Sequence, residues 1–149
     1  MYSWIDAKWN PTGGRCPHGC SYCYVPEMPY TQEKYGGEPR LIEKELETDL
    51  YKCKGKTPPM TVFVCNMSDL FAEAIPNDWI YQILAHCNKY PDNTYLFQTK
   101  NPHRFKYWLG LGSTGAFPPN LCALEFIECH HPKAHFHAVD DGEHVEVIK

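Results

Sequence analysis

Three short and almost continuously apolar segments lie between polar stretches of the chain and predict buried parallel strands. "MTVFVCNM" (60–67) and "TYLFQTK" (94–100) are rich in β-branched and aromatic residues. "LCALEFIE" (121–128) follows the same pattern, and a weaker candidate strand spans 4–9. The four segments are each of strand length, which favours strands over helices.

Amphipathic segments alternate with these strands. Segments 41–53 and 77–90 each place apolar residues at helical spacing along one stripe, with polar residues on the other side. Asn77 is expected to cap the second helix, and a third helix over 101–111 has Pro102 in its first turn. The stripes comprise Ile42, Leu46, Leu50 and Cys53 in the first helix and Trp79, Ile83, Cys87 and Tyr90 in the second.

The alternation of helix and strand predicts an α/β fold with parallel strands and right-handed crossovers. We expect one domain over 1–128, followed by a His-rich C-terminal tail or small cap over 129–149. The tail holds five of the eight histidines, and "HVEVI" (144–148) is a candidate strand. Its composition favours a polar tail or an edge hairpin over a metal site, although His135 and His137 would share a strand face.

Composition narrows the class of protein. The 149 residues are 43% hydrophobic and carry a formal net charge of −4, which disfavours a sequence-blind nucleic-acid binder. "KNPHRFKYW" (100–108) mixes basic and aromatic residues, and a solvated helix face explains it better than a nucleic-acid interface. We find neither a bilayer-spanning apolar run nor a signal peptide, so we expect a cytoplasmic protein without a membrane partner.

Three of the eight cysteines lie within eight positions, in "GGRCPHGCSYCYV" (13–25). Such clustering favours metal chemistry over a disulfide framework. The other five, Cys53, Cys65, Cys87, Cys122 and Cys129, are expected to be small buried apolar residues.

The spacing Cys16-x-x-x-Cys20-x-x-Cys23 supplies three soft thiolate ligands from one loop. A [4Fe–4S] cluster normally takes four thiolates, so three would leave one iron open to bind a small molecule. Tyr22 is placed to cover one side of a bound cofactor. A Cys₃His zinc site that recruits His18 or a distant histidine is the alternative.

The pattern C-x-x-x-C-x-aromatic-C resembles the signature of the radical S-adenosylmethionine (radical SAM) superfamily. "WNPTGGRCPHGCSYCYV", "VFVCNMSDLF" and "YLFQTKNPHRF" together resemble a phage- and prokaryote-encoded radical SAM-like family of poorly known function, over about residues 4–128. The resemblance implies a [4Fe–4S] cluster on the three cysteines that binds S-adenosylmethionine. It further implies reductive cleavage to a 5′-deoxyadenosyl radical, hydrogen abstraction from an unknown substrate, and a reductant such as flavodoxin or ferredoxin.

The resemblance also implies a partial (βα) barrel, in which functional groups follow the carboxyl ends of the strands. The residues at those ends are candidate cofactor-binding residues beside Tyr22: Asn66, Ser68, Asp69, Gln98, Lys100 and Glu128. For Asp69 a helix or turn cap is an equal alternative, and for Lys100 a solvated strand end.

The chain departs from the superfamily in length. About four strands are predicted, whereas the superfamily's barrel has six to eight βα units. A homodimer or a second chain that completes the barrel is one explanation, since a half barrel exposes a strand edge. A fragment that binds a cluster without catalysis is another.

Overall fold

A computed structural model describes residues 4–111, 121–125 and 136–138. The strands are β1 (Ala7–Trp9), β2 (Thr12–Gly13), β3 (Arg40–Leu41), β4 (Thr61–Val64), β5 (Thr94–Thr99), β6 (Leu121–Glu125) and β7 (Phe136–Ala138). The α-helices are α1 (Gln32–Tyr35), α2 (Asn77–Asn88) and α3 (Pro102–Leu111). Short 3-10 helices span Val25–Glu27, Pro29–Thr31, Glu43–Glu47 and Cys53–Gly55.

The main sheet has five strands in the order β1-β4-β5-β6-β7. The first four run parallel to one another, as predicted, and β7 pairs antiparallel with β6 at the sheet edge. β7 lies within the His-rich segment, so this part of the segment forms an edge strand paired with β6. The predicted domain boundary at 128–129 and the candidate strand 144–148 lie outside the described residues.

The two faces of the sheet differ. On one face, alternate strand residues pack with α2 and α3 into the hydrophobic core: Ala7, Trp9, Val62, Val64, Tyr95, Phe97, Ile80, Ile83, Leu84, Cys87, Phe105 and Trp108. The intervening strand residues, such as Lys8 and Phe63, face the other way because side chains alternate along a strand. The apolar stripe predicted for 77–90 is therefore confirmed. None of the helices in the described part of the chain is long and apolar enough to span a membrane.

The helix predicted over 41–53 is wrong. That segment begins in β3, forms a 3-10 helix over Glu43–Glu47 and continues irregularly, with Thr48 in an extended conformation. Side chains that are distant in sequence donate hydrogen bonds to backbone carbonyls that would accept from backbone N–H groups in an α-helix. Trp9 Nε1 donates to Glu45 O (3.0 Å), His86 Nε2 to Thr48 O (2.8 Å) and Asn93 Nδ2 to Leu50 O (2.9 Å). Leu50 is fully buried, and Leu46 and Cys53 are partly buried against the core, so three of the four predicted stripe residues pack inward although the backbone is not an α-helix.

The cap predicted at Asn77 is also wrong. Pro76 occupies the N-cap position of α2, and no side chain caps the helix. Asn77 Oδ1 instead accepts a hydrogen bond from Arg104 Nη2 (2.7 Å). The Arg104 guanidinium also donates to the carbonyl oxygens of Ala72 and Ile75. This arginine of the basic, aromatic stretch therefore fastens α3 to the chain before α2.

Gly14 marks the tightest backbone approach near the cysteine loop. It follows β2, has φ +83°, and donates its N–H to Lys34 O (2.9 Å). A Cβ at this position would lie 2.0 Å from Glu38 O, so only glycine fits without backbone movement.

We expect Gly14→Ala to lower the free energy of unfolding by on the order of 3 kcal/mol or more, because the strained φ and the backbone clash add. Gly55→Ala is the matched control: Gly55 also has positive φ (+72°), yet nothing lies within 4 Å of its added Cβ. That control should lose only about 1–2 kcal/mol. Urea denaturation measures both changes, and equal losses would contradict the clash.

Candidate functional site

A cavity of about 800 Å³ lies at the carboxyl ends of β4 and β5, between these ends and the three-cysteine loop. Parallel strands place their carboxyl ends on one sheet edge, which brings separate sequence segments together. The lining includes every predicted site residue within the described part of the chain: Cys16, Cys20, Tyr22, Cys23, Asn66, Ser68, Asp69, Gln98 and Lys100. Glu128 lies outside the described residues.

Two successive turns shape the cysteine loop. Gly19 N donates to Cys16 O (3.4 Å), and Cys23 N donates to Cys20 O (3.1 Å). All three cysteines are free thiols of intermediate exposure. They also line a second, smaller cavity of about 60 Å³ beneath the loop. Partial burial raises the pKa of the Cys16 thiol above its usual value.

Among the described residues, no group of three or more His, Cys, Asp or Glu side chains is placed to hold a metal ion. By the chemistry of the donors, three thiols from one loop suit an iron–sulfur cluster with one open iron, and with a fourth ligand they suit zinc.

Asp69 connects the cysteine loop to the sheet. Asp69 is only 6% exposed. Oδ2 accepts hydrogen bonds from His18 Nε2 (2.7 Å), Thr99 Oγ1 (3.1 Å) and Lys100 N (2.8 Å), and Oδ1 accepts from Phe71 N (2.9 Å). Each carboxylate oxygen offers about two lone-pair sites, so the three donors use Oδ2 fully and Oδ1 keeps one site. Asp69 thus positions the loop against the ends of β4 and β5.

Aromatic and basic side chains form the cavity rim. Lys100 Nζ lies 5.0 Å from the ring centroid of Tyr22, a cation–π contact. Tyr22 is 67% exposed, and Tyr24, whose hydroxyl contacts Met67 Sδ, is also exposed. Tyr22 is therefore available to cover a bound group, as the sequence predicts.

The turn after β4 depends on Cys65. This residue has φ +54°, a left-handed conformation that is strained for a residue with a side chain. The turn is held by Ser68 N, which donates to Cys65 O (3.1 Å). It directs Asn66 and Ser68 toward the cavity. Burial raises the pKa of the Cys65 thiol to about 12, which keeps it protonated and apolar in character, as predicted for the dispersed cysteines.

The outcome for the other dispersed cysteines is mixed. Cys87 is buried, and Cys53 is partly buried against the core. The side chains of Cys122 and Cys129 lie outside the described part of the chain.

Sequence reasoning missed two members of the site. Lys8 in β1 lines the cavity. The sequence feature that could have indicated it is a lysine between two apolar residues in a short strand. Thr99, at the end of β5, is not among the predicted site residues, yet it is buried and its hydroxyl donates to Asp69.

A comparison with protein-family models matched residues 1–125 to the family described as "Protein of unknown function (DUF5131)". The chain belongs to this family. Searches of curated proteins and of solved structures found no match. The match includes the cysteine loop and β1 to β6, so the whole described cavity lies inside the family region.

Proposed function

We propose that the protein is a radical SAM-type iron–sulfur enzyme. Cys16, Cys20 and Cys23 would hold a [4Fe–4S] cluster, and the cavity beside them would hold S-adenosylmethionine and the substrate. The observation that carries the proposal is that these cysteines and the polar strand-end residues, distant in sequence, line one cavity. Its volume of about 800 Å³ lies within the range of about 300–1,000 Å³ typical of ligand pockets.

The arrangement of the sheet supports a partial barrel as the finer description of the fold. In a (βα) barrel the helices cover the outer face of the strands and the active site lies at their carboxyl ends. Here the core with α2 and α3 occupies one face, and the cavity begins on the other. Within the described residues β1 pairs only with β4, so its outer edge would suit a second copy or another chain.

When bound, the cluster would supply one electron to S-adenosylmethionine, whose cleavage gives methionine and a 5′-deoxyadenosyl radical for hydrogen abstraction. The residues of the chain would bind and orient the cofactor and the substrate. Tyr22 would cover one side of the site, and Lys100 would face a carboxylate or phosphate. Asn66, Ser68 and Gln98 offer neutral hydrogen-bonding groups, and Glu128 stays a candidate for the same role. Asp69 would hold the loop that carries the thiolates.

The test is formation of 5′-deoxyadenosine. The protein is purified anaerobically, reconstituted with iron and sulfide, reduced with dithionite and incubated with S-adenosylmethionine, and the products are separated by chromatography. We expect 5′-deoxyadenosine that depends on reductant and on the cluster. One tightly held zinc per chain without iron would indicate a structural zinc module instead. A cluster without 5′-deoxyadenosine would indicate a catalytically silent fragment.

With activity established, flavodoxin and ferredoxin are the reductants to compare with dithionite. The expected cytoplasmic location belongs to the same proposal, because reduced thiols and low-potential reductants occur there.

A further inference from the structure

Lys8 places a positive charge on the cavity face of the sheet. Its neighbours Ala7 and Trp9 are each 2% exposed and belong to the core, whereas Lys8 lines the cavity. Across the sheet Lys8 is in register with Phe63, an apolar residue that is 6% exposed and lines the same cavity. A charged group beside apolar surface is unfavourable unless an opposite charge or water compensates it.

The described residues provide no ion-pair partner for Lys8. Their ion pairs are formed by Lys34, Lys52, Lys56 and His18. Asp69 is the one carboxylate among the described residues that line the cavity, and its oxygens already accept four hydrogen bonds. Among the described residues that line the cavity, two lysines, Lys8 and Lys100, thus stand against this single carboxylate, although the chain has a formal net charge of −4.

The polar lining adds hydrogen-bond donors. Asn66 Oδ1 accepts from Asn10 Nδ2 (2.9 Å), and the amide N–H₂ of Asn66 remains as a donor. Lys100 contributes a second ammonium at the rim. Much of the remaining lining is aromatic or apolar: Tyr22, Tyr24, Val25, Phe63 and Met67. An occupant that matches this lining has an anionic end and an apolar or planar body.

We propose that Lys8 binds an anionic group, a carboxylate or a phosphate, of the substrate. This deepens the proposed function and rests on it, because it names the substrate class for the same cavity. A charge-assisted hydrogen bond from the ammonium would fix the anionic end near the sheet. The rest of the substrate would then extend along the apolar lining toward the cysteine loop.

The test compares binding of matched anionic and neutral probes by calorimetry, in the anaerobically purified full chain. Deoxythymidine 5′-monophosphate against thymidine tests phosphate, and phenylacetate against phenylacetamide tests carboxylate. We expect the anionic member of at least one pair to bind about tenfold tighter or more. Lys8→Met should reduce that ratio several-fold, with Lys100 left as the remaining ammonium of the cavity, and Lys8→Arg should retain it. Lys52→Met, which removes an exposed lysine from outside the cavity, should leave it unchanged.

The proposal is overturned if neither pair discriminates, or if Lys8→Met leaves the ratio unchanged while thermal unfolding shows that the variant is folded. It is also overturned if Lys8→Met abolishes binding of S-adenosylmethionine to the reconstituted protein, because Lys8 would then serve the cofactor. Failure of the wild type to bind S-adenosylmethionine would instead contradict the proposed function. Anion discrimination that depends on Lys8 would still stand in that case, so the two failures can be told apart.

Discussion

Replacing Cys16, Cys20 or Cys23 by alanine is expected to abolish cluster binding. Each thiolate would bind its own iron, and two thiolates from one loop cannot retain a cluster that already has an open iron. The iron content after anaerobic reconstitution should fall from about four per chain to well below one. Formation of 5′-deoxyadenosine should disappear with it.

Cys53→Ala is the matched control for these variants. Cys53 is also a cysteine of intermediate exposure, but it lines neither of the two cavities beside the cysteine loop. Iron content and the visible absorption of the cluster should match the wild type. Iron binding that survives all three loop substitutions, or that is lost in Cys53→Ala as well, would contradict the assignment of ligands.

Asp69→Ala is expected to destabilise the protein strongly. It removes the shared acceptor of the Thr99 hydroxyl, the Phe71 and Lys100 amides and the His18 ring. Each buried donor left without a partner costs about 1–3 kcal/mol, and at least two of these bonds are buried. We expect the free energy of unfolding to fall by on the order of 3 kcal/mol or more. For a domain of this size that is a large share of about 5–15 kcal/mol.

Urea denaturation of the protein without a cluster measures this effect directly. Asp92→Ala serves as the control, because Asp92 is an exposed aspartate that accepts a hydrogen bond from the Tyr51 hydroxyl. Its substitution should change stability by less than about 1 kcal/mol. Asp69→Asn keeps one side-chain oxygen, which can take the place of Oδ2 as the acceptor. It should therefore lower the free energy of unfolding less than Asp69→Ala does. A loss below about 1 kcal/mol in Asp69→Ala would show that the carboxylate does not hold the loop in place.

The local sequence pattern was sufficient to predict an element where the segment's own residues determine its structure. The apolar runs that became β4 and β5 are short, rich in β-branched and aromatic residues, and bounded by polar stretches. The stripe of α2 repeats at helical spacing, and Pro102 begins α3 as expected. In each case the local preference and the buried face agree.

Local pattern failed where distant side chains decide the backbone. Segment 41–53 has a clear helical stripe, but three of its carbonyls bind Trp9, His86 and Asn93, which are remote in sequence. Asn77 resembles a cap, yet its side chain is used by Arg104 from the next helix. No window of sequence contains these partners, so periodicity could not reveal them.

The candidate site could be predicted in outline because parallel strands gather their carboxyl ends at one edge. Asn66, Ser68, Asp69, Gln98 and Lys100 therefore line one cavity. The roles of the individual residues in this cavity could not be predicted from the sequence. The link from His18 to Asp69 spans 51 positions, and Lys8 faces the cavity only because β1 pairs in parallel with β4.

The most direct test of the account is electron paramagnetic resonance of the anaerobically reconstituted, dithionite-reduced protein, recorded with and without S-adenosylmethionine. The account predicts a [4Fe–4S]⁺ signal whose shape changes when S-adenosylmethionine is added, because one iron has no protein ligand. Absence of a cluster signal, together with one zinc per chain by metal analysis, would contradict it.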